Sequence, residues 1–470
     1  MRFSAAGWIG LLVLAAGCKS PPPAHPNGCG PTVLPRKALM VAQSARDSVV
    51  AVSVHPVRSA YAAVTEPTAY LRAWYSGLVE KRIALKLLGP SPAISTARPP
   101  LDVARLEADS RRFTNTPPSP ADVTLYPDGE AALAALDAVI DGATCRLDVL
   151  MYLWGNDEIG WRVARKLAAK AGPDLPVRVM VDGGGNLTQG EPKKGSAEEV
   201  NRAVCWLARQ PHVLVVRTRN ANFRFDHRKL VVADGRIAWT GGRNFVRSAF
   251  TTDHDLTYTL GGPLAADLAD RFEEFWHKHG GSPAVPVPPP TPAVAPNAEA
   301  RLVITNSVER SLSRVLYDAV ERAERYVYVE NPYFSDSHLI YRLAKARQKG
   351  ADVRVVLTLT SDSKTYDHSN RVTANRLLKA GVRVYLYPGM THVKAVAVDG
   401  VWAYTGTGNF DTLSLRHNRE LGLAISAGPV IRELEERVFH PDFRPEWELT
   451  EPLPLSPLDY FYEFLAATIA

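Results

Sequence analysis

The chain has 470 residues, of which 46% are hydrophobic and 22% are charged, and its formal net charge is +6. This composition is ordinary for a globular protein and excludes a chain that is mostly disordered. The length is enough for two or three domains, each with its own core. The mild basic excess suits an anionic lipid surface or a nucleic acid, and it does not choose between them.

The N-terminus has the pattern of a bacterial secretory signal. A short basic start precedes an apolar run over residues 8–16, which is too short to span a bilayer. The sequence Ala15-Ala16-Gly17-Cys18 resembles a lipobox, where lipoproteins are cut before a cysteine that is then acylated. We predict a lipoprotein signal peptide over residues 1–17 and lipidation at Cys18, with a plain signal peptide as the alternative. Residues 18–35 are predicted to be a Pro-rich tether.

The remaining sequence predicts a helical region followed by two copies of one α/β unit. Residues 36–120 are expected to be mostly helical and contain no chemical motif. Helices and strands alternate over residues 121–280 and again over 299–470, which predicts sheets covered by helices. Residues 281–298 are a predicted Pro-rich linker. Residues 458–470 are aromatic and apolar; we expect them to pack against the second domain rather than to face a membrane. After the signal peptide, no segment is apolar enough to predict a membrane span.

The cysteines do not indicate a disulfide framework. Without Cys18, the chain has Cys29, Cys145 and Cys205, which is an odd number. We expect buried free thiols, and a bridge between Cys145 and Cys205 stays open as an alternative.

One sequence pattern, His-x-Lys-x4-Asp, occurs twice and extends well beyond the motif itself. An Asn and an acid follow each copy, and every equivalent pair is separated by the same 165 residues. The repeated residues are His227, Lys229, Asp234, Asn244 and Asp255 in the first copy and His392, Lys394, Asp399, Asn409 and Glu420 in the second.

The spacing within each copy places the basic residues together. Each copy predicts a strand, an Asp-Gly turn and a second strand. His and Lys are two residues apart, so they project from the same face of the strand. Lys is almost never fully buried without a partner, and a duplicated His-Lys pair beside a buried strand indicates a functional site rather than packing.

These motifs resemble the signature of the phospholipase D superfamily, His-x-Lys-x4-Asp followed by Gly-x-x-Asn, over residues 122–445. The resemblance implies two similar domains, each with a central mixed β-sheet flanked by helices, that form a pseudo-dimer with one shared active site. Within the superfamily the chain is most similar to bacterial cardiolipin synthases. The segments that carry this similarity are Gly241-Gly242-Arg243-Asn244, Asn331-Pro332-Tyr333-Phe334 and Gly406-Thr407-Gly408-Asn409-Phe410-Asp411.

Three positions depart from the usual cardiolipin synthase pattern. Leu413 stands where Arg is common, Thr407 where Ser is common, and Arg247 where Asp is frequent. These departures leave the two motifs intact, and the identity of the acceptor alcohol stays open.

The two histidines predict a double-displacement mechanism. One neutral imidazole attacks phosphorus to form a phospho-histidine, and the other protonates the leaving alcohol. The resemblance favours His227 as the nucleophile and His392 as the acid, an order that the motifs alone leave open. The lysines and asparagines would hold the phosphoryl oxygens.

The repeated acids are predicted to have two different roles. We assign Asp255 and Glu420 each to the histidine of its own copy, where it would fix the tautomer. Asp234 and Asp399 are expected to be structural and to tie the hairpins through hydrogen bonds.

We expect neither a cofactor nor a metal, because two lysines already supply positive charge. A rival metal cluster would draw on four other histidines. Two of them fall at a predicted helix end, where cationic side chains favour the helix dipole. These four residues are His254, His277, His279 and His417.

The predicted function is that of a phospholipase D or a cardiolipin synthase-like phosphatidyl transferase. Its partners would be a phospholipid substrate and a membrane surface. We expect a monomer, lipid-anchored in the bacterial cell envelope and facing the periplasm or the exterior. A secreted nuclease of the same superfamily and an inactive envelope scaffold are the alternatives, and hydrolysis versus transfer stays open.

Overall fold

The computed structural model describes Cys29 and residues 36–54, 68, 71–114, 116–189, 201–282, 285–286, 289–306 and 308–468. Cys18 and the predicted signal peptide lie outside these residues, as does the predicted tether apart from Cys29. Among the helices that the structure describes, none is long and apolar enough to cross a membrane.

The strands have the apolar, β-branched sequences that buried strands require. They are β1 (Ser119–Tyr126), β2 (Leu147–Met151), β3 (Val177–Val181), β4 (Val213–Arg217), β5 (Leu230–Ala233), β6 (Ile237–Gly241), β7 (Thr257–Gly261), β8 (Ala298–Thr305), β9 (Tyr326–Glu330), β10 (Asp352–Thr358), β11 (Arg383–Tyr387), β12 (Ala395–Val398), β13 (Trp402–Gly406) and β14 (Glu420–Ala427).

These strands form one continuous sheet, in the order β11-β10-β9-β12-β13-β14-β8-β1-β7-β6-β5-β2-β3-β4. The order on one side of the β8-β1 pair repeats on the other side, so the two halves are related by a pseudo-two-fold axis at this antiparallel pair. In each half three strands are parallel, namely β2-β3-β4 and β9-β10-β11. The prediction of two similar α/β units with mixed sheets is therefore confirmed.

Helices cover both faces of the sheet. They are α1 (Arg36–Val54), α2 (Val103–Ser110), α3 (Gly129–Gly142), α4 (Glu158–Lys170), α5 (Gly185–Gln189), α6 (Arg202–Leu207), α7 (Ser248–Thr251), α8 (Pro263–Lys278), α9 (Ser311–Glu321), α10 (Ser337–Gln348), α11 (Lys364–Lys379), α12 (Thr412–Arg416), α13 (Val430–Leu434), α14 (His440–Asp442) and α15 (Pro457–Thr468).

One hydrophobic core runs through both halves. It includes Leu260 on β7 and Leu302 on β8, together with Trp276 of α8 and Leu434 of α13. A separate buried cluster fills the other face of each half. The two domains therefore share a core on one side of the sheet and fold as a unit there.

In its described part, the region before the first domain is largely helical and contacts both halves, through Asp47 to Arg217 and through Leu101 to Asp399. Asp47 of α1 accepts two hydrogen bonds from Arg217, at 2.7 and 2.8 Å. Residues 71–75 are helical and continue through a π-helical turn, Ser76–Lys81, into the helix Arg82–Lys86.

At the C-terminus, α15 packs on α11, as the sequence predicted, and the ring of His368 stacks on Tyr462.

The cysteine prediction is wrong in two respects. Cys29 and Cys205 form a disulfide across 176 residues, and Cys145 is a free and exposed thiol rather than a buried one. A bridge between Cys145 and Cys205 is thereby excluded. Sequence reasoning treated Cys29 as part of a loose segment, whereas the fold brings it beside α6.

Candidate active site

Both His-x-Lys motifs lie at the same kind of position in the sheet. His227 and Lys229 come just before β5, and Leu230 at the start of β5 pairs with Leu150 near the end of β2. The second motif precedes β12 in the same way, at the end of β9. Each motif therefore lies at the carboxyl ends of the parallel strands, where open α/β sheets bind their ligands.

Backbone pairing across the pseudo-two-fold axis brings the motifs together. The backbone N–H of His227 donates to the carbonyl of Arg419 at 3.0 Å. In the other half, the N–H of His392 donates to the carbonyl of His254 at 2.5 Å. Each histidine is thus fixed beside the residue that precedes the acid of the opposite half.

As a result, the histidine-acid pairs are crossed, and their assignment within each copy was wrong. His227 Nδ1 lies 3.0 Å from a carboxylate oxygen of Glu420, and His392 Nδ1 lies 2.7 Å from Oδ2 of Asp255. Equal spacing along the sequence cannot distinguish a partner in the same half from one in the other half. The crossed pairs mean that neither half can complete its own histidine.

The two acids are buried and held in place. Asp255 Oδ1 accepts the backbone N–H of Leu256 at 2.7 Å, and Glu420 Oε2 accepts the hydroxyl of Thr407 at 2.5 Å. Burial opposes ionisation of Asp255, but the charges of His392 and Lys394 outweigh it and lower the pKa of this carboxyl. Asp255 is therefore an anion that can orient His392 and stabilise its charged form.

Both motif lysines are fully buried, with exposures of 0% and 1%. Each ammonium donates to the carbonyl of its own histidine at 2.6 Å, which leaves two N–H groups on each for another ligand. Burial lowers the pKa of Lys229 to about 7 and that of Lys394 to about 8. The charge of Lys394 also lowers the pKa of Lys229, and both lysines lower the pKa of His392. An anion between them would relieve this repulsion.

The histidines are electrostatically coupled across the halves. Burial lowers the pKa of His227 to about 4, with smaller contributions from Lys229 and from Lys394 of the opposite half. Burial also lowers the pKa of His392, again with contributions from both lysines. His227 is neutral at pH 7, which suits a nucleophile, and all four basic groups act on one region.

The asparagines of the two motifs are both buried, with exposures of 6% and 5%. Asn244 accepts the backbone N–H of Leu153 at 3.2 Å, which leaves its amide N–H groups for other partners. In the part of the chain that the structure describes, the side-chain oxygen of Asn409 has no hydrogen-bond partner. The contact of both amides with phosphoryl oxygens stays a prediction.

Asp234 and Asp399 lie away from this centre, at the hairpin turns. Both have positive φ, 54° and 55°, a conformation that Asp tolerates better than most residues. Asp234 accepts hydrogen bonds from the residues that lead into β2, which are Thr144, Cys145 and Arg146, and Asp399 accepts the N–H groups of Leu101, Glu324, Arg325 and Tyr326. The predicted structural role agrees with these hydrogen bonds.

Sequence reasoning missed two side chains at the site. The ring of Tyr152 lies edge-on to His227, with centroids 4.6 Å apart, and Lys229 Nζ lies 4.9 Å from the same ring. Tyr152 directly follows β2, a position that could have indicated it. Thr407, noted only as a departure from the family pattern, proves to hold Glu420.

The four other histidines do not converge on one metal centre. His254 alone joins a group, with Glu330 and Asp442, whose possible ligand atoms lie within 4.8 Å of one another. Burial lowers the pKa of His254, but the two carboxylates outweigh it and raise the pKa to about 9, so its own charge balances them. The others bond within the protein: His277 to Glu273, His279 to the Phe275 carbonyl and His417 to the Asn222 carbonyl.

Comparison with known proteins finds a matching family model and similar proteins. Residues 136–276 and 316–440 match the family described as "Cardiolipin synthase, PLD-like domain". Cardiolipin synthase A of Salmonella paratyphi A and that of Escherichia fergusonii are each 28% identical over 322 residues, covering 64% of this chain and 65% of theirs. The chain thus spans about 65% of the length of these relatives.

A solved structure shows the same fold. The phosphatidylserine synthase of Haemophilus influenzae superposes with a TM-score of 0.60 at 14% identity, over 78% of this chain and 100% of that one. The match covers both halves of the sheet, so the two-domain arrangement is common to both proteins.

Proposed function

Because the chain belongs to the cardiolipin synthase type of the phospholipase D-like family, we propose that it is a phosphatidyl transferase or phospholipase D that acts on phospholipid phosphodiesters. The observation that carries the proposal is the crossed pairing of His227 with Glu420 and of His392 with Asp255. This pairing makes two motifs into one centre with a nucleophile, an acid and two cations.

The first step cleaves the lipid phosphodiester. Glu420 accepts a hydrogen bond from the Nδ1–H of His227, so the Nε2 lone pair of the neutral imidazole faces the substrate and attacks phosphorus. The N–P bond forms as the P–O bond to the leaving alcohol breaks. His392, as the imidazolium, donates its Nε2 proton to that oxygen, and the charge of Asp255 supports the imidazolium before transfer.

The second step releases the phospho-histidine. His392, now neutral, takes a proton from water or from an incoming alcohol, whose oxygen attacks phosphorus. The new P–O bond forms as the N–P bond breaks, and His227 returns to its neutral form with its proton still on Nδ1. Lys229 and Lys394 stay protonated and hold the non-bridging oxygens, where fixed charge lowers the barrier most.

The cellular setting is part of the proposal. Lipidation at Cys18 would anchor the chain in the bacterial cell envelope and raise the local concentration of lipid at the site. A single chain already contains both motifs, so a monomer would be sufficient for turnover. The names of the relatives support a phospholipid substrate over a nucleic acid.

The test supplies phosphatidylglycerol in vesicles and identifies the products. Cardiolipin plus glycerol indicates transfer, and phosphatidic acid indicates hydrolysis; either supports the proposal when the His227→Ala variant forms neither. If no phospholipid gives a product, the lipid assignment is wrong. Cleavage of DNA that falls steeply with salt would then favour the nuclease.

A further inference from the structure

The C-terminal helix α15 is inverted relative to an ordinary surface helix. Its acids face inward, with Asp459 and Glu463 only 4% and 2% exposed. Its large apolar side chains face solvent and are between 46% and 55% exposed. These outward residues are Leu458, Tyr460, Phe461 and Phe464.

The inward acids fix the orientation of the helix. Asp459 accepts a hydrogen bond from His368 of α11 at 2.7 Å, and Glu463 pairs with Arg376 of α11 at 2.7 Å and with Arg82. Rotating the helix to bury its aromatic face would expose these pairs and break them. The apolar stripe is therefore a fixed feature of the surface.

A neighbouring segment extends this surface. The helical residues 71–86 contact α15 through the Arg82–Glu463 pair and expose Leu71, Tyr75 and Ile83. Besides Arg82, which Glu463 neutralises, residues 71–86 contain three basic residues and one acidic residue. Exposed apolar side chains on two neighbouring helical segments, together with basic residues, match the chemistry of a bilayer with anionic headgroups better than that of a protein partner.

The surface is also joined to the candidate active site. The hydroxyls of Ser335 and Thr412 donate to the carbonyls of Ala466 and Ala467, at 3.1 Å each. Thr412 is only three residues from Asn409, which belongs to the second motif. The last turn of α15 is thus hydrogen-bonded to the segment that follows the second motif.

We propose that the outward face of α15, with residues 71–86, lies on a phospholipid bilayer and holds the active site at the membrane. This inference rests on the proposed lipid substrate for its purpose, but its geometry does not depend on turnover. Interfacial helices bury their apolar face roughly 5–10 Å below the headgroups. Phe461 and Phe464 are the side chains that would reach deepest.

The test places an environment-sensitive fluorophore on the full-length, vesicle-bound chain. The label is attached to a Phe461→Cys variant in a background with both Cys18→Ser and Cys145→Ser. Cys145 is the free thiol in the described part of the chain, and Cys18 would otherwise carry a lipid or the label. We expect strong quenching by spin-labelled lipids at position 461. The matched control is Val294→Cys, a 95% exposed apolar position that should stay unquenched. Its backbone N–H donates to Asp122, which pairs with Gly261 at the end of β7 opposite to Asp255.

A second variant separates this surface from catalysis. Phe461→Ser with Phe464→Ser should lower turnover on vesicles by at least fivefold and leave turnover on detergent-dispersed lipid unchanged. Quenching at 461 without any lipid turnover would support membrane binding by this surface but contradict the proposed function. Equal quenching at 461 and 294, or none at 461, would overturn the inference. A dimer of the unsubstituted chain in solution that the double variant disrupts would also overturn it, because the stripe would then be a protein interface.

Discussion

Replacing Glu420 with Gln tests the crossed pairing most sharply. The variant keeps the size of the side chain but removes the charge that lies 3.0 Å from His227 Nδ1. A hydrogen bond to a charged group is worth about 1.5–3 kcal/mol, and each 1.36 kcal/mol is a factor of ten in rate. We therefore expect kcat to fall by roughly 10- to 150-fold, more if the Gln amide N–H forces the wrong tautomer on His227.

The assay follows product formation and the imidazole ¹⁵N resonances in parallel. Glu420→Gln should shift the tautomer signals of His227 and leave those of His392 in place, whereas Asp255→Asn should do the reverse. Glu448→Gln, which breaks an ion pair with Arg383 far from the site, is the matched control and should change neither. If Glu420→Gln perturbs only His392, the crossed arrangement is refuted.

Three further predictions concern charge, turns and the disulfide. Because Lys229 and Lys394 are charged only below pKa values of about 7 and about 8, kcat/KM should fall as pH rises through this range, and a flat profile to pH 9 would contradict this. Asp399→Ala leaves four backbone N–H groups without their acceptor, so the free energy of unfolding in urea should fall by about 2–4 kcal/mol. Asp399→Asn keeps one acceptor oxygen and should lower it less. Cys29→Ser removes a disulfide that spans 176 residues, so the free energy of unfolding should fall by up to about 5 kcal/mol. Treatment of the unsubstituted protein with a reductant should have the same effect, and an unchanged Tm in the variant would exclude the Cys29–Cys205 bridge.

The repeat made much of this molecule predictable. A constant separation of 165 residues between chemically equivalent side chains implies two equivalent environments, and the pseudo-two-fold sheet provides them. The alternating helix and strand signals predicted two α/β units, and the sheet contains one in each half. Hydrophobic periodicity and residue composition are properties of short segments, so they can be read from the sequence without knowledge of the fold.

The sequence could not show which contacts form within one half and which form between the two halves. Asp255 and Glu420 occupy equivalent positions after their histidines, and only the cross-half backbone pairing decides their partners. The disulfide of Cys29 was hidden for a similar reason, since its partner lies 176 residues away. The inverted helix α15 was missed because hydrophobic periodicity gives a stripe and not the direction in which it points.

The central claim is that two half-sites form one catalytic centre, and the most direct measurement is a double-mutant cycle on the two histidines. We predict that His227→Ala, His392→Ala and the double variant lose phosphodiester turnover to the same extent, because residues that act as a unit are strongly non-additive. If each single variant keeps about half of the activity, or if their losses multiply in the double variant, the two motifs act separately and the shared-site account is wrong.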